Sequence, residues 1–298
     1  MKKSLLLGIL FILIYSASAV AEPLIIQNHS GGNVNSVYRG PGGKVKVQPI
    51  NPGNPNSEPA VKSQQPPFPE ADETGKSIVP PGTPKAWALA TTALLIEVNK
   101  ERHDLLGGRE LSRKNIQRAR NLLSKWWGVN NRQDLLTALS WVEKEGHRKD
   151  CIATGTFVAS LGDQDYADLV DKLEQAQDKE GLHRVRILRE YFEELGGKSL
   201  IGWDFARYIA LCRWGFAARY MSEDEAWERI MPVAEKLQAT FGSWEDLGEN
   251  YVIGREYWSH EETSKTGELM LTAHKRLLSD PESPWMLNPW DMDLQGGD

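Results

Sequence analysis

From Thr83 onward, apolar residues recur with the period of an α-helix. Trp87, Ala90, Leu94 and Val98 fall on one face of a helix predicted from Ala86 to about Asn99, with Thr83 as cap and Pro84 at the first helical position. A second helix is predicted over Leu111 to Trp127. Ser112 caps it, Ile116, Ala119, Leu123 and Trp127 form its stripe, and Gly128 stops it. Asn131-Arg132-Gln133-Asp134 opens a third, with Leu135, Leu136, Leu139 and Val142 facing inward. Asp163 caps a long segment to Leu195, which Gly181 is expected to break or bend and Gly196-Gly197 to stop. The alternating stretch Lys44-Val45-Lys46-Val47 stands alone and makes no sheet. The predicted fold class is all-α.

The densest pattern runs from Trp203 to Trp258. Gly202 precedes a helix predicted from Trp203 to Tyr220, whose Phe205, Ile209, Cys212 and Phe216 share one face, with Gly215 allowing a close helix contact. Ser222-Glu223-Asp224-Glu225 has the form of a capping box, so the next helix starts there. Trp227, Ile230, Ala234, Leu237 and Phe241 make its inner stripe. Pro232 inside it should kink it or end its first half, and Gly242 closes it. Ser243-Trp244-Glu245-Asp246 is another cap, and Leu247, Tyr251, Gly254 and Trp258 follow at helical spacing.

This block resembles the bacterial family known as domain of unknown function 1266. The matching pieces are Trp203-Asp204 with Arg207, Arg213-Trp214-Gly215, Ser222 to Trp227, Ser243-Trp244, and Gly254-Arg255 with Trp258. Upstream, Trp127-Gly128-Val129, Asp134-Leu135-Leu136 and Glu145-Gly146-His147-Arg148 are similar to the family's entry segment, and Pro284-Trp285 with Asn288-Pro289-Trp290 to its tail. The likeness covers about 110–292. It implies a compact helical domain and brings no reaction with it.

The N-terminus has another character. Met1-Lys2-Lys3, the apolar run Leu5 to Tyr15, and Ala19-Val20-Ala21 lay out a secretory signal peptide over residues 1–21, with cleavage between Ala21 and Glu22. The apolar run is shorter than the roughly 20 residues that cross a bilayer, so no stable membrane span is expected after processing. The net charge of −6 becomes −8 once Lys2 and Lys3 are lost, a poor balance for nonspecific nucleic-acid binding. Residues 23–84 carry twelve of the sixteen prolines and none of the eleven tryptophans. Residues 22–83 therefore read as a disordered linker, 84–292 as the helical domain and 293–298 as a tail. The expected location is periplasmic or secreted.

Candidate chemistry centres on charges in the family-like block. Asp204 and Arg207 are an i, i+3 pair, and Arg213 lies further along the same helix. With Glu225, Arg255 and His147 they make a candidate cleft of carboxylates and guanidiniums for an acidic ligand or for general acid–base work, Asp204 and Glu225 being the weak catalytic candidates. The competing reading is an ion-pair network that locks helix junctions. Trp244 and Trp258, with Trp203, Trp214 and Trp227, either line a groove or fill the core. Adjacent Trp126 and Trp127 cannot both face inward, and proline-flanked Trp285 and Trp290 are expected at the surface.

Other chemistries find little footing. The six histidines form no H-x-x-x-H or H-E-x-x-H spacing, and neither a Gly-rich phosphate loop nor a G-x-S-x-G elbow is present, so no metal or cofactor is assigned. Cys151 and Cys212 are the only cysteines. An oxidising compartment permits a disulfide between them, worth roughly 4 kcal/mol in the chain-entropy picture, whereas the apolar face around Cys212 suits a plain buried thiol. The favoured function is a binding or protein-interaction module for an unknown protein or cell-wall component of the envelope, a class that includes immunity-like roles. The alternative is a hydrolase acting on an envelope polymer through the Asp/Arg/Glu cluster.

Overall fold

Side-chain caps set the helix starts. In the computed structural model, which describes residues 78–295, Thr83 Oγ1 accepts the amide of Ala86 and starts α1 (Pro84–Ala90). Ser112 and Asn131 do the same for α3 (Arg113–Trp127) and α4 (Arg132–Lys144), and Gly128, at φ 63°, ends α3. Ser222 starts α9 (Glu223–Thr240), Ser243 starts α10 (Trp244–Trp258) and Ser259 starts α11 (His260–Ser279). Each hydroxyl or amide oxygen fills one of the donors that a helix start leaves open. The signal peptide, its Ala21/Glu22 junction, the linker as far as residue 77 and residues 296–298 lie outside the described residues.

Several expectations change. The helix expected over 86–99 is two helices, α1 and α2 (Ala93–Val98). Between them the Thr91 and Thr92 hydroxyls donate to the carbonyls of Ala88 and Leu89, the local bonding by which threonines compete with a helix ladder. The segment 163–195 is also two helices, α6 (Asp163–Gln175) and α7 (Lys179–Leu195), but Gly181 is not the break. Asp178 caps α7 by accepting the Gly181 amide, and a β-carbon on Gly181 would lie 2.4 Å from the Asp178 carboxylate. The glycine makes room for the cap. Pro232 does not divide α9: it and Glu228 are exposed, so the carbonyl that loses its donor faces water. Helix α5 (Gly146–Ala159) carries no apolar stripe that the sequence could reveal, because its inner residues include Cys151, Thr154 and Gly155. Helix α11 is also additional to the predicted set; Thr266, Met270, Ala273 and Leu277 form its inner face.

Helix α8 (Ile201–Ala217) is the axis of the molecule. Every residue from Gly202 to Ala217 is buried, the signature of a helix surrounded on all sides. Helices α3, α4, α9 and α10 pack directly around it, and α5 rests on its start. Helix α7 lies across α5, α6, α10 and α11, while α11 joins α2. The short α12 (Pro284–Leu287) packs on α1 and α11. The twelve α-helices among the described residues are joined by one 3-10 turn (Gly196–Lys198) and accompanied by a single isolated bridge, Ile78 to Leu105. Among the described residues packing already includes Val79, upstream of residue 84, and extends to Leu294.

Candidate functional site

Asp204 sits in the first turn of α8 and is fully buried. Its Oδ1 accepts the His147 amide at 2.9 Å; its Oδ2 accepts the Arg148 amide at 3.1 Å and Arg148 Nη1 at 2.9 Å. The carboxylate thus caps α5, whose own N-cap residue, Glu145, supplies no side-chain bond. Arg148 also donates to the carbonyls of Val142 and Glu143, so one guanidinium ties the end of α4 to the start of α8. Burial pushes the Asp204 pKa up, but the interaction with His147, whose amide donates to Oδ1, and the Arg148 amide on Oδ2 outweigh it and hold the group below its ordinary 3.8.

Arg207 lies one turn further along α8, also fully buried. Its guanidinium is sandwiched between the Trp127 and Trp203 rings, 4.4 and 4.3 Å from their centroids. Its Nη1 donates to His147 Nδ1 at 3.1 Å, which assigns Nδ1 as an acceptor and the imidazole as neutral. Burial lowers the His147 pKa and the Arg207 charge lowers it further, against the pull of Asp204. His147 Nδ1 stands 3.6 Å from Asp204 Oδ1, too far for a hydrogen bond. With the ring neutral, the Asp204 charge is matched by Arg148 and the amides.

The remaining charged candidates lie elsewhere. Arg213 is nine positions beyond Asp204, a rise of about 13 Å along the helix. It is fully buried and donates to the carbonyls of Leu106 (3.1 Å), Leu105 (3.0 Å) and Arg102 (3.1 Å) and to the Thr92 hydroxyl. Burial brings its pKa down to about 10, still a cation at neutral pH. Glu225 receives both Arg132 nitrogens and, one turn along α9, Arg229. The Arg132 hydrogen bonds are the main reason its pKa falls below the usual carboxylate value. Arg255 donates to Thr266 Oγ1 at 2.8 Å, approaches Glu262 at 3.8 Å and stacks 5.0 Å from the Trp258 centroid. The expected single cluster of Asp204, Arg207, Arg213, Glu225, Arg255 and His147 therefore resolves into four places, of which only Asp204, Arg207 and His147 meet.

The tryptophans are core. Trp244 and Trp258 are buried, as are Trp203, Trp214 and Trp227. Trp244 stacks on Trp285 (5.8 Å, 4° between planes), packs against Trp87 and Trp290, and donates Nε1–H to the Asn288 carbonyl. The expectation of surface tail tryptophans fails: Trp285 is buried and bonds the Ala90 carbonyl, while Trp290 is half-buried against Trp87. Of the adjacent pair, Trp127 is buried and Trp126 half-buried. Cys151 and Cys212 are free, buried thiols on α5 and α8; the bridge left open by the sequence is not formed. Burial pushes the Cys151 thiol up to about 12 and the Cys212 thiol up as well. Gly146, Arg148, Trp127 and Arg132 complete these sites yet were not among the candidates, and their sole signal was membership of the quoted motifs or of a cap.

A model of the family described as "Protein of unknown function (DUF1266)" matches residues 122–290, more than half of the chain. The chain belongs to this family. Its DUF1266 block contains Asp204, Arg207, Gly146, His147 and Arg148, whereas α1, α2 and the loop that satisfies Arg213 precede it. Two proteins of Escherichia coli K12 are similar. Uncharacterized protein YbeU is 23% identical over 155 residues, 51% of this chain and 64% of that protein. Uncharacterized protein YbeR is 22% identical over 140 residues, 47% of this chain and 58% of that protein. The chain thus spans about three fifths of each relative's length. No solved structure matches it.

Proposed function

We propose that this DUF1266 protein is a binding or protein-interaction module of the bacterial envelope, carried into the periplasm by its N-terminal signal sequence. What carries this reading is the use made of Asp204. A general acid or base must come within hydrogen-bond reach of its substrate, and here both carboxylate oxygens are filled from α5 in a site without exposure. Glu225, the other candidate, is held ionised by two arginines at a helix junction. The hydrolase alternative needed Asp204, Arg207, Glu225 and Arg255 around one cleft, and these four lie at three separate junctions. The partner is a protein or a cell-wall component of the envelope, and an immunity-like role belongs to the same class.

In-cell crosslinking of the tagged, signal-processed protein followed by mass spectrometry tests this. Stoichiometric capture of one envelope protein or cell-wall fragment is the expected result. Capture of nothing, together with cleavage of an envelope polymer that is abolished in folded Asp204→Asn or Glu225→Gln variants, would overturn the reading.

A further inference from the structure

Helices α10 and α11 meet at a corner, and one turn of α7 holds both sides of it. Glu180 takes the α11 side: its carboxylate accepts the amides of His260 (2.8 Å) and Glu261 (3.2 Å) and the Ser259 hydroxyl (3.4 Å). Arg184 takes the α10 side, donating to the carbonyls of Tyr257 (3.3 Å) and Trp258 (3.2 Å). Between them His183, half-buried, sets its Nε2 2.9 Å from the Glu256 carbonyl; a carbonyl only accepts, so Nε2 carries the hydrogen. The second ring at the corner is His260, edge-on to His183 with 5.3 Å between centroids. His183 therefore faces Glu180 and Arg184 from its own helix, the Glu256 carbonyl from α10 and another imidazole from α11; α5 and α6, which also pack on α7, supply none of the leading influences. Burial disfavours a cation there most, and His260 and Arg184 add to it. The Glu256 carbonyl and Glu180 oppose them without reversing the sign, so the His183 pKa lies below 6.5.

We infer that this corner is an acid-operated latch: neutral rings fasten the start of α11 to α7, and when His183 and His260 take up protons the two cations repel each other and the first half of α11 comes away. Histidine is the side chain whose ordinary titration falls between pH 5 and 8. The latch is at full strength above pH 6.5 and weakens as pH falls through the folded His183 value. Glu180 cannot offset both new charges, since its single carboxylate is already bound to the α11 amides. Release uncovers Thr266 and Met270, the buried inner face of that half, and takes the Thr266 hydroxyl from Arg255. The inference goes beyond the binding reading and stands without it, because it concerns the attachment of α11 alone.

Hydrogen exchange read by mass spectrometry tests it, on the signal-processed protein at pH 7 and pH 5 with labelling times scaled to the intrinsic exchange rate. Peptides covering 259–270 are compared with those covering α3, at the far side of the axis helix. Protection of 259–270 is expected to fall about tenfold more than that of α3 at pH 5, as for a local opening. His183→Gln keeps a donor for the Glu256 carbonyl but cannot charge, so it removes most of the loss. His260→Gln leaves one ring to charge and reduces the loss, which keeps the test open should the first variant fail to fold. His147→Gln, a change at the start of α5, leaves the loss in full. The inference is overturned if 259–270 loses no more protection than α3, or if the loss is undiminished in the folded His183→Gln or His260→Gln variants. The crosslinking result decides none of this, so the two readings fail separately.

Discussion

The Asp204 carboxylate occupies the space that a side chain on Gly146 would need: a β-carbon there would stand 2.0 Å from Asp204 Oδ2. Gly146 also holds φ at +59°, a conformation that costs an L side chain roughly 1–2 kcal/mol. The two residues define each other, the glycine by lacking a side chain and the aspartate by capping the helix that the glycine begins. Gly146→Ala should therefore destabilise the protein by about 2–4 kcal/mol, combining backbone strain with displacement of a buried cap. Urea denaturation checks this, and a loss below about 0.5 kcal/mol would contradict it.

Acid should act in two stages. The folded pKa of His147 lies below its ordinary 6.5 because burial disfavours the cation. Its contribution to stability is thus complete above pH 6.5 and is lost as pH falls through the folded value. The folded pKa of Asp204 lies below 3.8, so its contribution persists until pH drops under that value. Glu101 works in the opposite sense, since burial raises its pKa above 4.5 and its protonation favours the folded state. Comparison with His147→Gln isolates the first stage. The difference in denaturation midpoint between the two proteins should change between pH 7 and pH 5; a constant difference would show that His147 does not titrate in this way.

The DUF1266 block should not fold by itself. Arg213 and the Trp285 indole, both inside it, find their acceptors in residues 89–106. Trp87, fully buried, packs on Trp244 and Trp290. Removing residues 78–110 leaves a buried guanidinium without its carbonyls, an expensive defect in a protein interior. A chain starting at residue 111 is expected to lose cooperative thermal unfolding in circular dichroism, and a sharp transition near that of the longer protein would refute the expectation.

Both cysteines should be inert while the protein is folded. The thiolate is the reactive form, and burial, which outweighs the nearby Arg229 charge at Cys212, keeps Cys151 and Cys212 as thiols. Mass spectrometry after iodoacetamide should find neither labelled in native buffer and both labelled in urea without reductant. Failure to label in urea until a reductant is added would reveal a disulfide.

Local physics was readable in the chain. Thr83, Ser112, Asn131, Ser222 and Ser243 were identified as caps because a cap and its amide are three residues apart. The period marks Phe205, Ile209, Cys212 and Phe216 as one buried face of α8, whereas the helix is buried on every side, because charged and polar residues such as Asp204, Arg207 and Arg213 are buried with it. Asp204 was singled out for its charge but not for its task, since the amide it caps is 57 positions away and no spacing rule spans that distance. Glycine in a helix reads as a breaker, but the reason for Gly181 is the neighbouring Asp178 cap. The tail misled through its prolines: Pro284 and Pro289 punctuate the backbone, but Trp285 and Trp290 between and beyond them close over Trp87 and Trp244. Acidic and basic residues along one helix suggest a shared cleft, but the rise of α8 carries Asp204 and Arg213 to opposite ends.

The equilibrium unfolding free energy of Asp204→Asn tests the central claim, that this carboxylate is a buried cap and not a catalytic group. Asparagine keeps the size but loses the charge that Arg148 and two amides require. A loss of about 3 kcal/mol is expected, in the range for breaking one side of a buried ion pair. A variant as stable as the parent would contradict the account and return Asp204 to the list of residues free to act on a substrate.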